Sequence, residues 1–517
     1  MNFFKRQDKT LILFVLLLAV ILRIYNLESY GIWIDEKASV LNSNAQCLNC
    51  PLTLSKDYFT QQDFQKQFSW KNFIKSNNID NGGNNIAYNF LLHYWQKPLG
   101  SKDFPVRLFS VLWGVLTVVL GYFISLLLFN NKKTALFTGF LFCIHPLLIH
   151  YSQHARGYAM ATFFSLAAST LFIFILKSDK VKLIHYTLYL ICMFIALLSH
   201  YLSIYIFIIQ GLYALYAYFT TSTSIATKKK KYMYVIFSLI AGGILLFWWV
   251  YFYAYEGLKY MQLRNDHYAS LSKQIASGEN KTDNFALPAT LVNILKGWGQ
   301  VVLQLFGNSL QNTGLRIREA APLLIFSLVL LTLNIRTILK DLPLKNFVLL
   351  LGFIFSAPLF ATVLAMKSGH IISFQPLYAI FSAPYAMVLI AHTINTNWIN
   401  SKNKTVSLTI GTAFTAMLII MLYSLSGTYF DKGFAVKREK NPYVKIASHI
   451  QENYKEGDVI IYSNWQDAQL TNLYFSSKPL IKQKVDTLSF PDKIVKKDML
   501  NGENITIMDF KNKNIRY

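Results

Sequence analysis

A series of apolar runs, each close to the length a bilayer demands, constrains this chain more than any other feature. They fall at roughly 10–27, 106–129, 135–151, 158–176, 183–199, 201–220, 233–253, 320–338, 346–366, 377–393 and 405–426. A hydrocarbon core needs about 20 apolar residues per helix, and inside it every backbone N–H and C=O must be satisfied within the segment. About eleven such runs predict an all-α polytopic membrane protein. The pairs 135–176 and 183–220 read as helical hairpins with very short outer turns. The first run follows a basic start, MNFFKRQDK, and is interrupted only by Arg23. No small-residue cleavage site follows it, so it is expected to remain as a transmembrane helix.

Charge placement orients these helices. The chain carries 50 Lys and Arg against 26 Asp and Glu, a formal +24. Such a balance can mark a nucleic-acid binder. Here the basic residues collect in short loops: Lys5, Arg6 and Lys9; Lys132 and Lys133; Lys177, Lys180 and Lys182; Lys228 to Lys231; Arg336, Lys340 and Lys345; Lys402 and Lys404. All fall on one side if the N-terminus is cytoplasmic, opposed only by Asp8, Asp179 and Asp341. That is the positive-inside pattern, so the implied partner is the lipid bilayer and no nucleic acid. An odd number of spans then places the C-terminus outside. The predicted organisation is a transmembrane domain over 1–426, with large outer loops at 28–105 and 254–319. A small soluble α/β extramembrane tail follows over 427–517. In the second loop, Leu291, Leu295, Trp298, Val302 and Leu305 recur at helical spacing, with Pro288 suited to the start. They predict an amphipathic helix, either lying in the interface or packed on the bundle. Phe68, Trp70, Phe73 and Ile74 suggest a shorter helix in the first loop. In the tail, Tyr443, Ile446 and Ile450 predict a helix over 442–454, ended by Gly457, before a strand at 459–462.

The four cysteines say little. Cys143 and Cys192 sit in apolar runs as core thiols. Cys47 and Cys50 form a lone CxxC, which suits a local disulfide or two idle thiols better than zinc.

Polar groups at predicted outer helix ends are few enough to weigh singly. Asp35 and Glu36 are adjacent in GIWIDEKAS, just after the first span, where partial desolvation tunes a carboxylate as a base. An ordinary solvated pair would look the same. The turn HPLLIHYSQHARGYAM holds Arg156, a side chain suited to gripping phosphate in two-pronged geometry, with Tyr158 beside it. His145, His150 and His154 crowd the same stretch. Their spacing makes a poor helical face for three ligands, so a divalent metal is compatible but not required, and no cofactor is assigned. Ser199-His200-Tyr201 marks the next outer turn, and Lys367, Gly369, His370 and Gln375 a further one. Polar groups from several outer turns suggest one cavity opening to the outer face.

These residues carry a resemblance. GIWIDEKAS resembles the Asp-Glu motif of the glycosyltransferase C superfamily. NNIAYNFLLHYWQKPLGSKDFPVRLFSVLWGV resembles the segment that follows it, with Leu-His-x-Trp and an Arg-Leu-x-Ser start to the second span. HPLLIHYSQHARGYAM resembles the superfamily's Ser-x-Glu-x-Arg-x-Tyr turn, and LLSHYLSIYIF its His-Tyr turn. Order and spacing agree over about 10–220. The nearest group is similar to glycosyltransferase family 39 and its neighbours, the bacterial relatives of protein O-mannosyltransferases and lipid A aminoarabinose transferases.

The resemblance implies the glycosyltransferase C fold. It also implies a polyprenyl-phosphate-sugar donor used on the outer face of the cytoplasmic membrane, and a glycan, lipid or protein acceptor. It assigns Asp35 as base with Glu36 supporting it, and Arg156 and Tyr158 to the donor phosphate. His154, His200, Tyr201, Lys367 and His370 would line the pocket. A single displacement would invert the anomeric centre. Three departures stand out. His154 occupies a position often acidic, Asn84-Asn85-Ile86 replaces Pro-Pro, and Leu377-Tyr378 replaces an Arg-Tyr pair, so that this phosphate contact is either lost or supplied by Lys367 or His370. Two other readings fit a polytopic chain: a transporter or flippase for a polyprenyl-linked glycan, and a glycan polymerase or ligase. Polar residues at turns rather than within broken helices disfavour the first, and the Asp-Glu motif disfavours the second.

Overall fold

The computed structural model describes residues 6–28, 32, 34–48, 58–64, 68–221, 226–279, 286–307, 339, 342, 344–400, 403–430, 442–462, 465–476, 479–485, 507–509 and 514–516. In chain order the helices are α1 (Arg6–Ile24), α2 (Ile34–Ser43), α3 (Gln61–Phe64), α4 (Trp70–Asn81), α5 (Ile86–Leu99), α6 (Asp103–Phe129), α7 (Lys132–Ile144), α8 (Pro146–Ser152), α9 (Tyr158–Lys177), α10 (Leu183–Ser199), α11 (Ile204–Thr220), α12 (Ala226–Trp249), α13 (Tyr255–Ser277), α14 (Leu291–Leu305), α15 (Leu344–Ser368), α16 (Pro376–Ala379), α17 (Ala383–Thr393), α18 (Lys404–Tyr429), α19 (Pro442–Asn453) and α20 (Trp465–Asn472). The strands are β1 (Ile460–Tyr462), β2 (Gln483–Val485), β3 (Ile507–Asp509) and β4 (Asn514–Arg516). The chain divides into two compact units. One comprises 1–25, 110–252 and 261–437, and the other 26–109, 253–260 and 438–517.

The first unit is helical. Among the described residues six helices are long and apolar enough to cross a membrane, and α7 with α8 makes an apolar pair bent by 56°, a broken span or a re-entrant turn. The helices α1 and α10 are apolar but shorter. The chain is thus a multi-pass membrane protein. The predicted run at 320–338 lies outside the described residues. The run at 377–393 is divided between α16 and α17, with a π-helical continuation at Ile394–Ile399.

Pro146 explains the bend between α7 and α8, since it has no N–H to continue the ladder. Lysines close helix ends nearby. Lys177 Nζ donates to the carbonyls of Leu127 and Leu128, each at 2.8 Å, near the C-terminal end of α6. Lys231 Nζ does the same for the Ser178 carbonyl. A linear polar chain joins four helices. Tyr189 Oη donates to Gln210 Oε1 at 2.5 Å, Gln210 Nε2 to Ser169 Oγ at 2.8 Å, and Ser169 Oγ lies 2.5 Å from Tyr385 Oη.

Two loop helices differ from expectation. The run at 233–253 continues through a π turn (Val250–Ala254) into α13, a stretch of 50 residues. At 1.5 Å per residue this is about 75 Å, more than twice a bilayer core. The predicted amphipathic helix is α14, but it begins at Leu291, capped by Thr290, whose side chain accepts from Asn293 N. Leu291 and Leu295 are exposed, whereas Val301 and Leu305 are buried. Trp298 donates to Thr362 Oγ1 at 2.8 Å. One half of α14 is therefore packed in the bundle and the other presents its leucines outward.

The second unit combines the loop after α1 with the described part of the tail. Phe59, Ile446, Ile450, Ile460, Tyr462, Ala468 and Ile481 share one core. Strands β1 and β2 pair in parallel with Ile460 opposite Gln483, and Phe59 adds an antiparallel bridge to Gln483. Helix α4 starts at Ser69, whose hydroxyl accepts from Asn72 N, and ends at Gly82 in the left-handed region. Gly257 lies against that turn, and a Cβ there would sit 2.5 Å from the Gly82 carbonyl carbon.

Candidate functional site

Within the second unit the acidic pair opens α2. The two carboxylates have different surroundings. Glu36 is fully buried and bound in two-pronged fashion by Arg107, also fully buried, with Nε to Oε1 at 2.9 Å and Nη2 to Oε2 at 2.8 Å. Arg107 Nη1 also donates to the Leu27 carbonyl at 2.8 Å. Glu36 therefore anchors the start of α2 to α6 and to the chain leaving α1. Asp35 is only half-buried. Beside them Lys37 lies 4.5 Å from the centre of the Tyr443 ring. Burial pushes its ammonium pKa below the usual lysine range, although Asp467, Asp103 and Glu36 pull it upward. Cys47 is disulfide-bonded, and Cys50 lies outside the described residues.

Within the first unit the second polar cluster surrounds the break between α8 and α9. Gln153 caps α8, and Tyr158 begins α9. Rings form a continuous line, with centroid separations of 4.3 Å for His150–His154, 5.4 Å for Tyr151–His154, 4.9 Å for Tyr151–Tyr158 and 5.1 Å for Tyr158–His200. The line ends on Phe381 and Tyr378, at 5.4 and 6.2 Å from the His200 ring. Arg156 is buried, and its carbonyl accepts from Ser110 Oγ at 3.5 Å. Burial, reinforced by the Arg156 charge, pushes the His200 imidazole down to about 3. His200 is thus a neutral ring that accepts from Leu202 N at 3.3 Å.

Some predicted members lie elsewhere. His145 caps the start of α8, with its Nε2 3.3 Å from the Leu305 carbonyl oxygen, while His150 and His154 face each other. Among the described residues no three His, Cys, Asp or Glu side chains are placed to hold a metal. His370 pairs with Asn265 at 3.2 Å and meets the Tyr268 ring edge-on. Lys367 is exposed at the end of α15. Arg107 had no assigned role in the sequence reading. Its partner is 71 positions away, and the only hint was its place at the start of a span.

Comparison with known proteins follows the same lines. Residues 78–257 match the family model for dolichyl-phosphate-mannose-protein mannosyltransferases. The match contains Arg107, Arg156, Tyr158 and His200, and begins after Asp35. No curated protein matches the chain. Among solved structures the chain is similar to the oligosaccharyltransferase of Archaeoglobus fulgidus tethered with an acceptor peptide, at 13% identity and a TM-score of 0.46, over 92% of this chain and 60% of that one. The archaeal oligosaccharyltransferase AglB in complex with an inhibitory peptide and a dolichol-phosphate matches at 11% identity and 0.47, over 91% and 63%. ArnT from Cupriavidus metallidurans bound to undecaprenyl phosphate matches at 10% and 0.48, over 90% and 84%. The chain thus spans about 60% of the length of the archaeal enzyme. Over residues 78–257 this membrane protein is similar to the dolichyl-phosphate-mannose-protein mannosyltransferases, which agrees with the family 39 resemblance read from its motifs.

Proposed function

We propose that this protein transfers a sugar from a polyprenyl-phosphate donor to a hydroxyl-bearing glycan, lipid or protein acceptor, on the outer face of the cytoplasmic membrane. The observation that carries the reading is the unequal fate of the acidic pair. Glu36 is consumed by Arg107 in a buried ion pair, while Asp35, its neighbour, keeps partial exposure. Glu36 holds the turn, and the half-buried Asp35 is the carboxylate that the Asp-Glu resemblance assigns as base.

Asp35 takes the proton of the acceptor hydroxyl as its oxygen forms a bond to the anomeric carbon. The bond from that carbon to the phosphate oxygen breaks, and the lipid phosphate leaves with the electron pair. Arg156 offsets the charge gathering on that phosphate, with Tyr158 as a hydroxyl donor. His154, His200 and Tyr201 line the donor side, and Lys367 and His370 the outer rim. One displacement inverts the anomeric centre, and the active site and C-terminus are periplasmic in a two-membrane cell.

The test compares wild type, Asp35→Asn and Glu36→Gln in membranes supplied with radiolabelled polyprenyl-phosphate sugars. Label should reach an acceptor with wild type and fail to do so with Asp35→Asn. Full transfer by Asp35→Asn would remove it as the base. Movement of the glycan lipid across proteoliposomes without bond formation would replace the transferase with a transporter.

A further inference from the structure

Arg23 is an arginine inside the first span and is wholly buried. An intramembrane guanidinium is costly even on lenient insertion scales, so a packing role alone would be met better by Leu or Met. Its bonds show what it does. Nη2 donates to the Phe142 carbonyl and Nη1 to the Cys143 carbonyl, both at 3.1 Å, and Nη1 also reaches the Ala19 carbonyl at 3.3 Å. In an unbroken helix the Phe142 carbonyl would accept from residue 146, but Pro146 has no N–H to give. Arg23 fills that vacancy at the 56° bend between α7 and α8.

The reverse bond also exists. The last carbonyls of α1 lack helical donors, and Gln153 supplies them. Its Nε2 lies 3.2 Å from the Arg23 carbonyl, 3.2 Å from that of Tyr25 and 3.5 Å from that of Leu22. Tyr429 Oη donates to Leu22 O as well. Gly114 on α6 leaves room for this junction, since a Cβ there would fall 2.4 Å from Ser152 Cβ and 3.1 Å from Arg23 Nε.

We infer that Arg23 and Gln153 are positioning residues, a reciprocal pair of caps that locks the end of α1 to the α7–α8 break and so fixes the turn that presents Arg156. Gln153 stands three residues before Arg156, at the cap of α8. The inference rests on the reading of Arg156 as the donor-phosphate contact.

The test uses the full chain in nanodiscs and a fluorescent polyprenyl phosphate as probe. Arg23→Met and Gln153→Met should each weaken its binding about tenfold, the lower end of the ~10–100-fold that residues supporting a binding group contribute at metal sites. Arg23→Lys, which keeps a donor, should recover part of the loss. In an Arg156→Ala background neither cap variant should weaken binding further. Amide exchange over 145–158 should quicken in Arg23→Met. Gln153→Met keeps the test open if Arg23→Met fails to fold. Unchanged binding, or losses that simply add to Arg156→Ala, would overturn the positioning role. If wild type binds no polyprenyl phosphate, the donor reading fails. The coupling is then decided by exchange alone, with faster exchange supporting it and unchanged exchange refuting it.

Discussion

Glu36→Gln is the substitution whose cost the structure defines best. Glutamine keeps the shape and one acceptor oxygen but removes the charge that balances Arg107. Both side chains are completely buried, so no water can replace what is lost. A hydrogen bond to a charged group contributes roughly 1.5–3 kcal/mol, and two of them are weakened here. Breaking one side of a buried ion pair costs about 3–5 kcal/mol, because the remaining charge stays unbalanced in a medium of low polarity. Arg107 keeps its bond to the Leu27 carbonyl, which places the expected loss near the lower end, about 3 kcal/mol. The assay is detergent-solubilised protein followed by size-exclusion after graded heating, read as half-life because membrane proteins unfold irreversibly. Glu36→Gln and Arg107→Met should each shorten the half-life sharply. The double variant Glu36→Leu with Arg107→Met should recover much of it, since an apolar pair of similar volume removes both charges. Equal half-lives for Glu36→Gln and wild type would refute the reasoning. A double variant worse than either single one would show that the pair contributes net stability beyond charge balance.

The other expectations are simpler to state. Asp35→Asn should shorten the half-life far less than Glu36→Gln does, yet reduce sugar transfer about 10²–10⁴-fold, a split that a purely structural residue would not give. Gly257→Ala should lower the yield of folded protein, because its methyl would meet Gly82 backbone rather than a movable side chain. His200, held down to about 3 against an ordinary 6.5, binds its proton in the unfolded chain before it does so in the fold. Stability should therefore rise with pH across that interval and be flat above it as far as this residue is concerned, and His200→Phe should shallow the acid limb of a pH–stability profile.

The spans were legible because each apolar run satisfies its own backbone, so length and composition suffice. Asp35, Glu36 and Arg156 stand out in the sequence for a related reason, since charges are scarce at a membrane face, and the roles given them rest on the proposal above. The ion pair to Arg107 was not, because nothing local links position 36 to position 107. Helix α13 was missed for the opposite reason. Its sequence, YEGLKYMQLRNDHYASLSKQIAS, is polar and carries Gly257, so neither composition nor a turn signal marks it as the continuation of α12. The three histidines illustrate a limit of spacing. His145 was grouped with His150 and His154 by proximity in sequence, but the bend at Pro146 puts it on the Leu305 carbonyl instead. Arg23 was read as a blemish in an apolar run, and its purpose needed the bent helix to be seen.

The polar chain through Ser169, Tyr189, Gln210 and Tyr385 has a consequence in time. Three of its members enter the membrane in quick succession during synthesis, and the fourth arrives some 175 residues after Gln210. Until then the Ser169 hydroxyl has one partner fewer than it finally has, in a solvent that offers none. The half-made protein thus carries a polar gap that only α17 can close. A chain cut short before Tyr385 would expose that gap to the quality-control machinery of the membrane, whereas a completed one conceals it.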